Sequence, residues 1–323
     1  MKRAATSLVT VLMAALLTLT ACSAKPTSES PADPPTTAAS LPTVDRAGNP
    51  ITLPPEITRV ISLAPSITQV LDALGLKDRL VGIDTQTPRY VPGLDSLPQF
   101  DMMQPDLEAM LALQPDLVLV SGISLYASDD PFKPLKDVGI PVAVIPTSNS
   151  IEDVMKDIQF IAGCFGKQAE GEAIVAQMRA EIDRIAAIGA TITEKKRVMF
   201  EIAPLPTIYS FGSGVFLHEM LELIGAENVF ADHQGWMAVT EESAIAANPD
   251  VILTNVNDID DPVQEILSRS GWENVTAVKN RAVYYIDTAA SSLPNHHIVD
   301  ALKQMARAVY PDQYAAIGNP LAP

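Results

Sequence analysis

Two adjacent histidines, His296 and His297, are candidate metal ligands in this chain. A histidine imidazole can bind a transition metal. Pro294 precedes the pair and a helical pattern begins at Ile298, so the two histidines stand at a turn. The alternative is that they cap this helix or face water, and the sequence leaves both interpretations open.

Aromatic and methionine side chains make up most of the other candidates for ligand contact, and few basic residues accompany them. Arg89 and Lys133 are nearby in the sequence without being clear members of the set. A surface of this kind suits a large, flat and nearly neutral ligand, whereas an anionic ligand requires Arg or Lys. The predicted ligand cleft comprises Pro65, Ser66, Met102, Met103, Tyr126, Tyr209, Phe211, Trp236, Met237, His296 and His297.

No motif of a hydrolytic or redox active site accompanies these residues. The sequence lacks a Gly-x-Ser-x-Gly elbow, a His-Glu-x-x-His zinc motif and a Cys-x-x-Cys pair. All four histidines lie in the second half, which argues against a zinc or manganese site built from two lobes. We therefore expect a binding protein without a cofactor or metal of its own. A secreted α/β hydrolase with scattered catalytic residues is the alternative.

The N-terminus predicts export and lipid anchoring. Lys2 and Arg3 precede a short apolar stretch, and Leu19-Thr-Ala-Cys22 resembles a bacterial lipoprotein box, in which Cys22 becomes the lipidated first residue. We expect a signal peptide over 1–21, a disordered tether over 22–42, and a body held on the outer face of the cytoplasmic membrane. The formal net charge of −17 argues against a nucleic-acid partner and against broad attraction to anionic lipid.

One sequence pattern occurs twice. In the first copy, Glu108 is followed seven residues later by Pro115-Asp116 and an apolar run. In the second copy, Glu242 is followed at the same distance by Pro249-Asp250 and another apolar run. The same order of elements in both halves predicts two similar lobes with a cleft between them, where small molecules commonly bind. Each copy has the same two shorter motifs upstream, marked by Arg59 and Gly75 and by Arg197 and Gly225.

Apolar runs alternate with helical patterns in both halves, which is typical of α/β lobes with mainly parallel sheets. Ser66 is the expected N-cap of the first helix and Gly75 its C′ residue. The predicted strands span 60–63, 80–83, 117–121, 142–145, 198–202, 251–254 and 283–286. The predicted helices span 67–74, 107–112, 132–137, 151–162, 215–224, 242–247 and 298–309.

A single long helix is predicted between the halves, from Gln168 to about Ile188, because its apolar residues fall three and four apart. At 1.5 Å per residue it is a rod of roughly 30 Å, which acts as a stiff strut. The expected lobes then cover 43–167 and 190–323, with the connecting helix over 168–189.

These motifs, in this order, closely resemble the ABC-transporter substrate-binding proteins of the helix-linked class III family, which carries cobalamin, haem and ferric siderophores. The resemblance covers about residues 43 to 312 and rests on Arg59-Val-Ile-Ser-Leu-Ala-Pro-Ser-Ile-Thr, Leu74-Gly-Leu-Lys-Asp-Arg-Leu-Val-Gly82 and the repeated Glu-x6-Pro-Asp pattern. It implies two Rossmann-like lobes joined by one helix, with a ligand held between them and little closure on binding. It further implies a monomer that serves an ABC permease dimer with ATPase subunits.

Within this family, the aromatic and methionine-rich cleft favours a cobalamin-type corrinoid, with haem next and then a ferric siderophore. The resemblance also implies that one glutamate on each lobe docks with arginines of the permease. Glu108 and Glu242 match these positions, and Glu241 is a neighbouring alternative. Each glutamate also suits the first turn of a helix, where the helix dipole favours a negative charge. A ligand-binding component of a membrane sensor is the alternative to a transport role.

Overall fold

The computed structural model describes residues 40–125 and 130–318. The predicted signal peptide, Cys22, most of the tether and Tyr126 lie outside the described residues. Within those residues, no helix combines the length and the apolar character needed to cross a membrane. The first half contains β1 (Val60–Leu63), α1 (Pro65–Ala73), β2 (Leu80–Asp84), β3 (Gln99–Phe100), α2 (Leu107–Ala112), β4 (Leu117–Ser121), α3 (Lys133–Asp137), β5 (Val142–Ile145) and α4 (Ile151–Cys164).

The five strands of the first lobe form one parallel sheet in the order β3-β2-β1-β4-β5. The central strand β1 is buried along its whole length, as expected when helices cover both faces of a parallel sheet.

The chain continues through α5 (Gln168–Gly189), β6 (Arg197–Glu201), β7 (Ile208–Phe211), α6 (Phe216–Leu223), β8 (Glu227–Asn228), β9 (Trp236–Val239), α7 (Glu241–Ala247), β10 (Val251–Thr254), α8 (Pro262–Leu267), α9 (Thr276–Lys279), β11 (Val283–Tyr285), α10 (Thr288–Ser292) and α11 (Ile298–Val309).

The second lobe has a parallel sheet in the order β11-β10-β6-β8 and a separate antiparallel pair, β7 with β9. The helix α5 connects the two lobes and packs against α4 of the first lobe and against α6 and α11 of the second. Its buried stripe includes Met178, Ile182 and Ile185, as the sequence predicts. The fold is therefore the predicted one: two α/β lobes with mainly parallel sheets, joined by one long helix.

The repeated motifs make the same contacts in both lobes. Asp116 Oδ2 accepts a hydrogen bond from the backbone N–H of Arg59 at 2.9 Å, and Asp250 Oδ2 accepts one from Arg197 at 2.9 Å. Each arginine guanidinium in turn donates to the backbone carbonyl of the residue directly before the Pro-Asp pair, Gln114 or Asn248. This clamp ties the start of the central strand to the start of its neighbour in each lobe.

The helices α1 and α6 also end in the same way. The N–H groups of Gly75 and Leu76 donate to the carbonyls of Asp72 and Leu71, and Gly225 and Ala226 repeat this pattern in α6. Both glycines have positive φ, +70° and +79°, so each helix ends in a Schellman motif and Gly75 is the predicted C′ residue. The N-cap prediction for Ser66 is wrong. Ala64 is the N-cap and Pro65 follows it, because the fixed φ of proline suits the first helical position.

Candidate functional site

A cavity of about 430 Å³ lies between the two lobes, at the carboxyl ends of the parallel strands. The first lobe contributes the segments that follow β1, β4 and β5 and one face of α4. The second lobe contributes the β7–β9 pair, the first turn of α6 and the segments after β10 and around α10. Five of the predicted cleft residues line it: Pro65, Ser66, Met102, Tyr209 and Trp236.

The antiparallel pair β7–β9 presents an aromatic surface to the cavity. Phe211 lies opposite Trp236 in this pair, and directly opposed residues point to the same face. The ring centroids of Phe211 and Trp236 are 5.7 Å apart and the ring planes are inclined at 78°, an edge-to-face contact. Phe216, on α6, has its ring centroid 6.4 Å from that of Trp236. Phe211 is fully buried, so its role is to hold the indole of Trp236 rather than to line the cavity.

Two methionines of the predicted cleft lie elsewhere. Met237 follows Trp236 on β9 and therefore points to the opposite face, where it packs against the core of the second lobe. Met103 lies in a turn, where Asp101 Oδ1 accepts its backbone N–H, and its side chain is exposed to solvent outside the cavity lining.

The histidine pair lies outside the cavity between the lobes. His296 and His297 line a separate, smaller cavity of about 230 Å³ with Gln69, Asp72 and Tyr90. Asn295 turns the chain there: its Nδ2 donates to Gln69 Oε1 at 2.6 Å, and its Oδ1 accepts the backbone N–H of His297. Burial, together with the charge of His297, lowers the pKa of His296 to about 4. Neither imidazole therefore lines the cavity between the lobes.

Among the described residues, the lining of the cavity between the lobes is mostly apolar. It contains one carboxylate, Asp157, but no Lys, Arg or His. Asp157 is buried on α4, where its Oδ2 accepts a hydrogen bond from Ser148 Oγ at 2.8 Å. Burial raises the pKa of this carboxyl, and the hydrogen bonds from Ser148 and Arg46 oppose part of that rise. The other polar lining groups are neutral, chiefly hydroxyls and the Asn255 amide.

The sequence interpretation missed Asp157, Ser148, Asn255 and Ser291. Ser148 follows β5 and Asn255 follows β10, so the rule that ligands bind at the carboxyl ends of strands applies to both. Ser291 lies in α10, within a segment whose helical structure was not predicted. Asp157 lies in the middle of α4, and no local pattern distinguishes it from a solvent-facing helical residue.

The two glutamates of the repeat occupy equivalent positions in the structure. Glu108 lies two residues after the N-cap Asp106, and Glu242 lies two residues after the N-cap Thr240. Both side chains are exposed. Glu241 differs, because its Oε1 accepts a hydrogen bond from the indole N–H of Trp272 at 2.8 Å.

The part of the chain that the structure describes contains no cluster of three or more His, Cys, Asp or Glu side chains able to hold a metal ion. The described lining of the cavity thus consists of aromatic rings, aliphatic side chains, neutral polar groups and the Asp157 carboxylate.

Comparison with known proteins places residues 60–290 in one family, described as periplasmic binding protein. The chain is also similar to the uncharacterised ABC transporter substrate-binding lipoprotein YvrC of Bacillus subtilis (strain 168). The two are 33% identical over 277 residues, which cover 84% of this chain and 86% of that protein.

Two further relatives differ in the ligand that their names carry. The cobalamin-binding protein of Halobacterium salinarum is 28% identical over 279 residues, 82% of this chain and 73% of that protein. The molybdate-binding protein MolA of Haemophilus influenzae is 27% identical over 303 residues, 84% of this chain and 85% of that protein. The structure of MolA bound to molybdate has a TM-score of 0.75 at 24% identity, covering 87% of this chain and 94% of that chain.

These relatives are substrate-binding proteins rather than enzymes, as the sequence predicts. The family model spans most of both lobes, and the resemblance drawn from the repeated motifs is confirmed. This chain belongs to the periplasmic binding protein family and is a substrate-binding protein of the ABC-transporter type.

Proposed function

We propose that this protein captures a large, uncharged metal chelate of the corrinoid type, such as cobalamin, and delivers it to an ABC importer. The observation that carries the proposal is the charge of the cavity wall: among its described residues there is no Lys, Arg or His. Haem carries propionates, ferric siderophores are commonly anionic and molybdate is a dianion, so each needs positive charge or a dense set of donors. A corrinoid presents carboxamides, which hydroxyl and amide groups recognise.

The aromatic surface supports the same ligand class. Trp236 makes edge-to-face contacts with Phe211 and Phe216, and these contacts hold the indole in place, so that it loses little side-chain freedom on binding. Tyr209 lies on the same face of the β7–β9 pair and is 39% exposed. A flat macrocycle buries more area against such a surface than a compact oxyanion does.

The test is a calorimetric titration of the soluble body, residues 43–323, with cyanocobalamin. We expect saturable one-to-one binding at about micromolar affinity or tighter, within the range of specific small-molecule sites. Haemin, ferric siderophores and molybdate are titrated in parallel. If one of these binds and cyanocobalamin gives no heat at any temperature, the corrinoid assignment is wrong.

A matched pair of tryptophan variants locates the ligand. The chain has two tryptophans: Trp236 lines the cavity, and Trp272 is fully buried in the second lobe. We expect ligand to quench the fluorescence of Trp272→Phe and to leave that of Trp236→Phe nearly unchanged.

Tyr209→Ala should weaken binding, whereas Tyr284→Ala, which is equally exposed at 39% but lies outside the cavity lining, should not. The reverse pattern would move the ligand away from the β7–β9 surface.

For delivery, we propose that Glu108 and Glu242 dock with arginines of the permease. Their equivalent positions on α2 and α7 and their exposure support this pair, and the bond from Trp272 to Glu241 argues for a structural role of Glu241. One carboxylate on each lobe fixes the orientation of the protein on a two-fold partner.

In cells, Glu108→Ala with Glu242→Ala should leave ligand affinity intact and lower uptake. The control is Glu56→Ala with Glu194→Ala, which removes two exposed carboxylates, one before β1 and one before β6. Normal uptake by the first variant together with lost affinity would reverse the assignment.

We also propose that Cys22 carries the lipid and that residues 22–42 tether the lobes 43–167 and 190–323, with their connecting helix, to the outer face of the membrane. Cys22→Ser should release the protein into the soluble fraction without changing its ligand affinity. Membrane retention of this variant would argue for a different anchor.

A further inference from the structure

A short hairpin over residues 43–51 precedes β1 and lies outside the range that matches the family, 60–290. We call it the N-terminal hairpin. Val44 and Pro50 form its antiparallel bridge. The Asp45 carboxylate accepts the N–H groups of Ala47 and Asn49 within the hairpin and, from Oδ2, the N–H of Val144 on β5 at 2.9 Å. These bonds attach the hairpin to the edge strand of the first lobe.

Attachment of the hairpin brings Arg46 to the back of the cavity wall. Its Nε donates to Asp157 Oδ1 at 2.5 Å, and its Nη2 lies 3.9 Å from Asp153 Oδ1. Asp157 faces the cavity and is 5% exposed, whereas Arg46 does not line the cavity. The cationic partner therefore pairs with the carboxylate without itself lining the cavity.

An unpaired carboxylate in this position would be costly, because a buried charge without a partner loses its hydration. It would also repel anionic groups and attract cationic ones across an apolar space, where the effective dielectric is low. Paired with Arg46, the same carboxylate leaves the wall with no net charge while it still offers an acceptor oxygen.

We propose that Arg46 is a specificity-determining residue: it neutralises Asp157 from behind the wall and thereby sets the net charge that the cavity presents to its ligand. This inference rests on the proposed function, because an uncharged ligand needs an uncharged wall. The residue that tunes the site thus lies in the N-terminal hairpin, before the residues 60–290 that the family model matches.

Two fluorescent probes of similar apolar character test the inference without the natural ligand: anionic 1-anilinonaphthalene-8-sulfonate and neutral Nile red. At pH 8, Arg46→Gln should lower the affinity for the anionic probe by roughly ten-fold, which is the effect of one uncompensated charge at this range. The affinity for Nile red should change little. Arg46→Lys keeps the charge and should resemble the natural protein. Ser292→Trp, on the rim of the cavity, should block both probes and so assigns them to it.

The double variant Arg46→Gln with Asp157→Asn separates charge from packing. It removes both charges, so its affinity for the anionic probe should return to that of the natural protein. The inference is overturned if Arg46→Gln weakens both probes equally, if it weakens neither, or if the double variant fails to restore the anionic probe. Equal weakening is what a purely structural ion pair predicts.

Cyanocobalamin titrated against the same variants distinguishes this inference from the proposed function. If the natural protein does not bind it but the probe pattern holds, the corrinoid assignment falls and the role of Arg46 stands. If cyanocobalamin binds and the probe pattern is absent, only the role of Arg46 falls.

Discussion

Cys164 is the only cysteine after residue 22, and it is 1% exposed near the end of α4. Burial raises the pKa of its thiol to about 12, and only the thiolate reacts readily with electrophiles. We therefore expect the folded body to resist N-ethylmaleimide at pH 8 and to react with it stoichiometrically in denaturant, measured by intact mass. Glu56→Cys, at an exposed position, controls for the reagent. Rapid labelling of Cys164 in the folded protein would contradict its burial.

His296 predicts a specific pH dependence of stability. Its Nδ1 is buried without a hydrogen-bond partner among the described residues, and its pKa falls to about 4 from the ordinary 6.5. Between these values the unfolded chain binds the proton and the folded chain does not, so the free energy of unfolding falls as the pH drops from 6.5 to 4.

His296→Gln should flatten this pH dependence by on the order of 1–2 kcal/mol. Urea unfolding at pH 7 and pH 4.5 measures the difference, with exposed His233→Gln as the control. Equal slopes for His296→Gln and the natural protein would show that the imidazole is not desolvated.

At the same scale, residue types alone did not reveal which loop side chains face the cavity between the lobes. Trp236 and Met237 are neighbours with similar apolar character, and only their alternation on β9 separates the cavity wall from the core. The pairing of β7 with β9 was not predicted, so this alternation was not available from the sequence. His296 and His297 lie away from this cavity because Asn295 is hydrogen-bonded to Gln69. These two residues are 226 positions apart, so the contact could not be predicted from a local pattern.

Among the elements, the two Schellman motifs provide a matched pair of glycines. Gly75 and Gly225 both have positive φ, but a Cβ on Gly75 would meet nothing within 4 Å, whereas one on Gly225 would lie 2.6 Å from the carbonyl oxygen of Gly189 on α5. We expect Gly75→Ala to cost about 1 kcal/mol from the backbone conformation alone. Gly225→Ala should cost at least about 2 kcal/mol, because α6 must also move away from α5. Thermal unfolding of both variants measures the costs, and equal losses would contradict the close helix contact.

Strands that form apolar runs were predictable, whereas the two-residue strands and three short helices of the second lobe were not. The strands β1, β4, β5 and β10 have the predicted bounds, because each is an apolar run between turn residues. The edge strands β3 and β8 have two residues each, too few to show alternation. The helices α8, α9 and α10 span six, four and five residues, less than two turns, so no apolar stripe marks them.

At the scale of the whole molecule, three connections among the described residues help to hold the two lobes in register. The helix α5 packs on both lobes, Asn295 donates to Gln69 across the lobes, and Glu219 Oε2 on α6 accepts the N–H of Ile151 at the start of α4 at 2.8 Å. Small-angle scattering should therefore give radii of gyration for the free and ligand-saturated body that agree within about 1 Å. Gln69→Ala with Glu219→Ala should widen this difference. A large contraction of the natural protein on binding would mean that these connections break.

The overall architecture was predictable because the repeat, the connecting helix and the family motifs all extend over tens of residues. The position of the N-terminal hairpin was not, because the contact of Arg46 with Asp157 spans 111 residues and depends on how the hairpin attaches to β5.

The arginine–aspartate clamp is accompanied by the same turn in both lobes. Gln114 and Asn248 occupy the same place before the two Pro-Asp pairs, and both have left-handed backbone conformations, with φ of +47° and +42°. Their side chains differ, yet the local geometry is the same in both lobes. The clamp therefore requires a backbone shape that two different side chains can supply. Glycine, which adopts positive φ without strain, meets the same requirement at either position.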